Sequence, residues 1–161
     1  MGTNELSVLL WKERELLELL QFKLEEEQLL LVAGKTRWIA TATREVESVL
    51  EKVHAASLAR SVEASAVAEA WGLRADAPLA DIAAAAPEGP WKSILGAHLT
   101  ALQAVTAEIE RLRDANEQYL RAAARSAQET LATLGENQST YGPTGSSGAA
   151  QPGARILDTN L

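Results

Sequence analysis

The chain reads as an all-α protein: an elongated antiparallel helical bundle or coiled coil of three long helices, with a short connector helix and a disordered C-terminal tail. Three observations predict this. Leu and Ala dominate the 161 residues. Apolar side chains recur at steps of three and four, the spacing that places them on one helical face. The β-branched and aromatic residues that favour strands are too scattered to build a sheet.

The first helix is expected over about residues 4–33. Leu6, Leu10, Leu17, Leu20, Leu24 and Leu31 form its stripe, Leu9 and Leu16 widen it, and Glu13 and Glu27 interrupt it. Gly34 is a candidate stop and Thr36 a candidate cap for the next helix, although the pattern also fits a helix running straight through. The second helix, 36–71, carries Ile39, Val46 and Val53 at heptad spacing, with Ala42, Val49 and Ala56 beside them. Gly72 ends it. The connector that follows holds a short Ala-rich helix at 79–86, bounded by Pro78 and Pro87.

Pro90 suits the first turn of the third long helix, 91–134. Its register Leu95, His98, Leu102, Val105, Ile109, Leu112, Asn116 and Tyr119 is the most regular in the chain. The apolar face then drifts through Leu120, Ala123, Ala127, Leu131 and Leu134, which outrun the arms of the hairpin and ask for a cover. A second copy of the chain or an amphipathic helix of another protein would serve. Residues 1–134 thus read as a helical domain and 135–161 as a flexible tail, whose Gly, Ser, Thr, Gln and Pro cannot bury enough apolar surface to offset ordering. Ile156–Leu161 suits a second small anchor or a fold back onto the bundle equally well.

Composition narrows the function. A net charge of −7 argues against nucleic acid, whose binders neutralise phosphates with Lys and Arg. With no cysteine, neither disulfides nor thiolate metal sites are available. The first 18 residues lack a cationic segment followed by an apolar core, so no secretion signal is expected. The longest leucine-rich run, Leu29 to Ala33, is far short of the roughly 20 residues of a membrane helix. A cytoplasmic protein without membrane insertion is the expectation.

Candidate chemistry is sparse. Ala33-Gly34-Lys35-Thr36 has the end of a phosphate loop, but Leu29 stands where its first glycine belongs. Glu51 and His54 have the spacing of a di-iron helix, yet the other histidine, His98, has Leu95 three residues before it, so half the ligand set is missing. Glu25, Glu26 and Glu27 read as a solvated surface. The tryptophans at 11, 38, 71 and 91 read as packing anchors. Asn116 reads either as a buried amide that sets helix register or as an exposed residue on a rotated helix. No catalytic residue, metal or cofactor is expected.

Tyr141 is different in kind, being an aromatic in Thr140-Tyr141-Gly142-Pro143-Thr144-Gly145 with no helix to pack against. Together with the leucine- and glutamate-rich run Leu6 to Leu31, the segment Leu112 to Leu120 and Ala127-Gln128-Glu129-Thr130-Leu131, it resembles the FlgN family of flagellar export chaperones. Asn116 matches the first Asn of that family's Leu-Asn-x-x-Asn-x-x-Leu pattern, and Tyr119 stands where its second Asn is usual. The Ala-rich connector with Trp91 departs from shorter members.

The resemblance implies a cytoplasmic chaperone that binds the C-terminal region of the hook-filament junction proteins FlgK and FlgL, keeps them unpolymerised and delivers them to the type III export gate. It further implies that Leu120, Ala123, Ala127, Leu131 and Leu134 face the client, and that Tyr141, with Gly142 and Gly145, docks on the cytoplasmic domain of the gate protein FlhA. The alternative is a coiled-coil scaffold without a client, its overhang pairing in a homodimer.

Overall fold

The computed structural model describes the backbone of residues 2–138 and the side-chain environments of 2–135. Four α-helices follow one another: α1 (Gly2–Val32), α2 (Thr36–Ala70), α3 (Leu79–Ala85) and α4 (Pro90–Gln138). Among the described residues there is no strand. The chain divides into two compact units, Met1–Ala122 and Ala123–Leu161.

In the first unit α1 and α2 form a helical hairpin. The chain turns at Gly34, whose φ of +63° is open to glycine at little cost, so the two helices are separate. The bond from Lys35 N–H to the Leu30 carbonyl closes the turn. Thr36 is the first helical residue and not a cap: Lys35 holds the cap position with no side-chain bond to the helix. Gly72, at φ +75°, follows α2 in the same way, and its N–H donates to the Glu69 carbonyl. Pro78 precedes α3 and Pro90 opens α4, a position where proline sacrifices no helical hydrogen bond.

Two apolar clusters hold this unit. In the first, Leu6 and Leu10 of α1 meet Ala64, Val67 and Ala68 of α2, Ile82 and Ala83 of α3, Ala86, and Leu95 of α4. The connector is therefore part of the core, with Trp71, Leu73 and Leu79 packed on its margin. In the second, Leu20 and Leu24 meet Val49, Val53, Val105, Ile109 and Leu112. The predicted stripes of the three long helices supply every residue of the second cluster, whereas in the first they supply only Leu6, Leu10 and Leu95, the rest coming from the end of α2 and the connector.

The polar residues within those stripes are buried as well. Glu13 is 6% exposed and is bonded by the Arg60 guanidinium of α2, so its charge is paired across the hairpin. Glu27 is 4% exposed, and burial holds its carboxyl above the ordinary range, opposed by a hydrogen bond from the Thr43 hydroxyl and assisted by the Glu47 charge. Well below pH 4.5 this group is protonated folded and unfolded alike. As pH rises, the unfolded chain ionises first and the fold loses stability through the folded-state value. Glu27→Gln is therefore expected to raise the melting temperature at pH 7, with the advantage fading as pH falls through 4.5 and gone well below it, as thermal denaturation at several pH values will report.

Of the four tryptophans read as packing anchors, Trp11 and Trp38 are 52% and 48% exposed. The Trp11 indole packs edge-on to His98, with ring centroids 5.1 Å apart, and carries the Arg14 guanidinium on its face. Gly135 does not end α4, which continues to Gln138, beyond the expected boundary at 134. One glycine costs a helix only about 1 kcal/mol relative to alanine, too little to stop a helix with favourable neighbours on both sides.

Candidate functional site

The described part of the second unit is the final stretch of α4, and its chemistry is simple. Every side chain from Ala123 to Gly135 is exposed. Leu131 is 68% and Leu134 56% exposed, and Leu120, in the first unit, is 36% exposed. Within the second unit Ala123, Ala127, Leu131 and Leu134 follow one another at steps of four, four and three, so helical geometry lines these four on one face. The helix is held by local bonds: Arg121 to Glu117 at 2.5 Å, and the hydroxyls of Thr130 and Thr133 to carbonyls four residues back. Leu131 and Leu134, one turn apart with Ala127 a turn before them, make a small exposed apolar face.

Earlier in the same helix the environment is the opposite. Asn116 is 3% exposed and its Nδ2 donates to the Leu24 carbonyl of α1 at 2.9 Å, while its Oδ1 has no protein partner. A buried amide tied to one backbone carbonyl rewards one register of α4 on α1 over its neighbours, since a slip leaves it unbonded. His98 is 3% exposed, hydrogen-bonded through Nε2 to the Ser7 hydroxyl at 3.2 Å. Burial, and secondarily the Arg14 charge, hold its pKa below the ordinary value, so it is a neutral packing residue at pH 7.

Two grooves mark the surface of the first unit. One of about 290 Å³ lies between α1 and α2. Another of about 370 Å³ is lined by Arg14, Glu18, Gln21 and residues of α4 as far as Glu108. Glu51 and His54 are both exposed, and no cluster of metal-ligating side chains occurs among the described residues. No described helix is long and apolar enough to cross a membrane. Tyr141, Gly142, Gly145 and Ile156–Leu161 lie outside the described residues.

Comparison with known proteins decides which kind of protein carries this exposed helix. The family model described as FlgN protein matches residues 1–148. The chain belongs to the FlgN family. It is accordingly a flagellar export chaperone in kind, from a family of chaperones and not of enzymes, whose members bind flagellar export substrates. No curated protein and no solved structure matches the chain.

Sequence reasoning missed three features of this FlgN chain. Glu13 and Glu27 read as interruptions because a carboxylate in a stripe has no visible partner until the hairpin brings Arg60 and Thr43 across from α2. The exposure of Trp11 and Trp38 depends on helix rotation, which aromatic identity does not encode. The groove between α1 and α2 combines residues about 45 positions apart, and its one sequence signal is the three-four-three spacing of Leu9, Lys12, Leu16 and Leu19.

Proposed function

We propose that the protein is a cytoplasmic chaperone for the hook-filament junction proteins FlgK and FlgL, holding their C-terminal region on the α4 face formed by Leu120, Ala123, Ala127, Leu131 and Leu134. The observation that carries this reading is the exposure of Leu131 and Leu134 on a continuous helix in a member of an export-chaperone family. Burying such a face yields a gross gain of about 5 to 12 kcal/mol, from which the cost of association is subtracted, leaving micromolar or somewhat tighter binding. That range suits a client that must be released at the export gate.

In this reading the segment after α4 carries Tyr141, with Gly142 and Gly145, to the cytoplasmic domain of the gate protein FlhA. Asn116 fixes the register of α4 so that its face is presented in one way. Asn116→Leu is expected to leave the melting temperature unchanged or raised, because it removes an unpaired buried oxygen, while broadening the amide NMR resonances of α4. Sharp, unchanged spectra would assign Asn116 to packing alone.

The function is tested by mixing the purified chain with FlgK and following light scattering. Suppressed self-association of FlgK and a mixed complex on a sizing column support the reading. Tyr141→Ala is expected to preserve that complex while weakening capture by FlhA about tenfold, as removal of one aromatic anchor should. Unaltered FlgK self-association, with the chain eluting as a tight dimer, would favour the homodimeric scaffold.

A further inference from the structure

The groove between α1 and α2 is apolar and carries charge of one sign. Leu9 and Leu16 of α1 and Ala55 and Ala59 of α2 give it an apolar floor with little side-chain bulk, and Lys12 and Lys52 supply its charge. No carboxylate lines it, in a chain of net charge −7. Two further grooves mix signs, with Arg14 beside Glu18 and Glu108 in one, and Arg74 beside Asp76 and Asp81 in the other. Among the described residues neither Lys12 nor Lys52 has an ion-pair partner, whereas Lys23 on the same hairpin is bonded to both Glu26 and Glu45.

The floor extends beyond the groove by helical spacing. Leu19, 40% exposed, lies three residues past Leu16, and Val62, 66% exposed, three past Ala59. The Arg60–Glu13 and Lys23–Glu45 pairs fix the antiparallel register of the hairpin. In that register Lys12 and Lys52 stand on opposite rims, offset along the axis by roughly one to two turns of a helix. Small alanines let a helix approach closely, and the two lysines call for carboxylates on its two flanks.

We infer that the α1–α2 groove is a second docking surface, distinct from the α4 face, and that it receives an amphipathic helix of another protein whose leucine stripe is flanked by glutamate or aspartate. Charge selects this occupant over the α4 face of a second copy of the chain. The exposed face of α4 carries Glu117, Arg121, Arg125 and Glu129, which cancel, and Arg121 is already paired with Glu117. The overall negative charge opposes an acidic partner only weakly, because charges beyond about 10 Å are screened at physiological salt while the two lysines act at contact.

The test uses the full chain and a 16-residue helical peptide with leucines at heptad spacing flanked by glutamates, beside the same peptide with lysines in their place. Binding is read by fluorescence anisotropy and by amide NMR shifts. The acidic peptide is expected to bind and to shift resonances of Leu9, Leu16, Ala55 and Ala59, with affinity falling in high salt. Lys12→Glu with Lys52→Glu should weaken it about tenfold or more and favour the lysine peptide, whereas the paired Leu131→Asp and Leu134→Asp variant should bind it normally. No binding, equal binding of both peptides, or shifts confined to α4 would overturn the inference. So would a homodimer that the peptide displaces, since the groove would then belong to a second copy.

Discussion

Replacing Leu131 and Leu134 together by aspartate is expected to abolish measurable capture of FlgK, at least a hundredfold loss of affinity, with helical content unchanged. Both side chains are more than half exposed in the free chain, so the substitution should move the melting temperature by no more than about 2 °C. In the complex the same positions would place two charges in an apolar contact, and leaving a carboxylate buried without a partner costs several kcal/mol. Circular dichroism and calorimetry on the same sample separate the two effects. Retained binding would show that the client lies elsewhere on the chain.

Leu95→Ala should do the reverse. Leu95 is fully buried where all four helices meet, against Leu6, Leu10 and Ile82. Truncating it forfeits the transfer free energy of the removed carbons and leaves a cavity that the surrounding helices fill only in part, together about 3 kcal/mol. For a chain of this size that lowers the melting temperature by roughly 10 °C. Below the transition the affinity for FlgK should be unchanged, because Leu95 is sealed from solvent and makes no contact a client can reach. A variant that melts normally would mean that the first cluster is not the keystone of the fold.

These opposite effects express how differently the two regions were written into the sequence. The helices were legible because their apolar spacing is local: Leu6 to Leu24, Val49 and Val53, and Leu95 to Leu112 reappear in the two clusters, and Gly34, Gly72, Pro78 and Pro90 punctuate them where backbone geometry requires. What spacing cannot encode is what a side chain meets across a hairpin. Glu13 looks like a break in a stripe until Arg60 is brought beside it, and Lys12 looks like a solvated charge until Lys52 arrives on the opposite rim.

The exposed face of α4 lies between these cases. Its periodicity was readable, but a stripe in sequence looks the same whether it is buried or bare. The contrast between Leu112, 1% exposed, and Leu131, 68% exposed, on the same helix is information that the structure supplies. The extension of α4 through Gly135 belongs here too, since a single glycine is a weak stop when the residues around it favour the helix.

The central claim is that the end of α4 is the client site. It is tested most directly by calorimetric titration of FlgK into the full chain and into a chain ending at Ala122, the limit of the first compact unit, with its helical content and melting verified beforehand. The account predicts micromolar or tighter binding by the full chain and none by the shortened one. Equal affinities for the two would place the client on the first unit and contradict it.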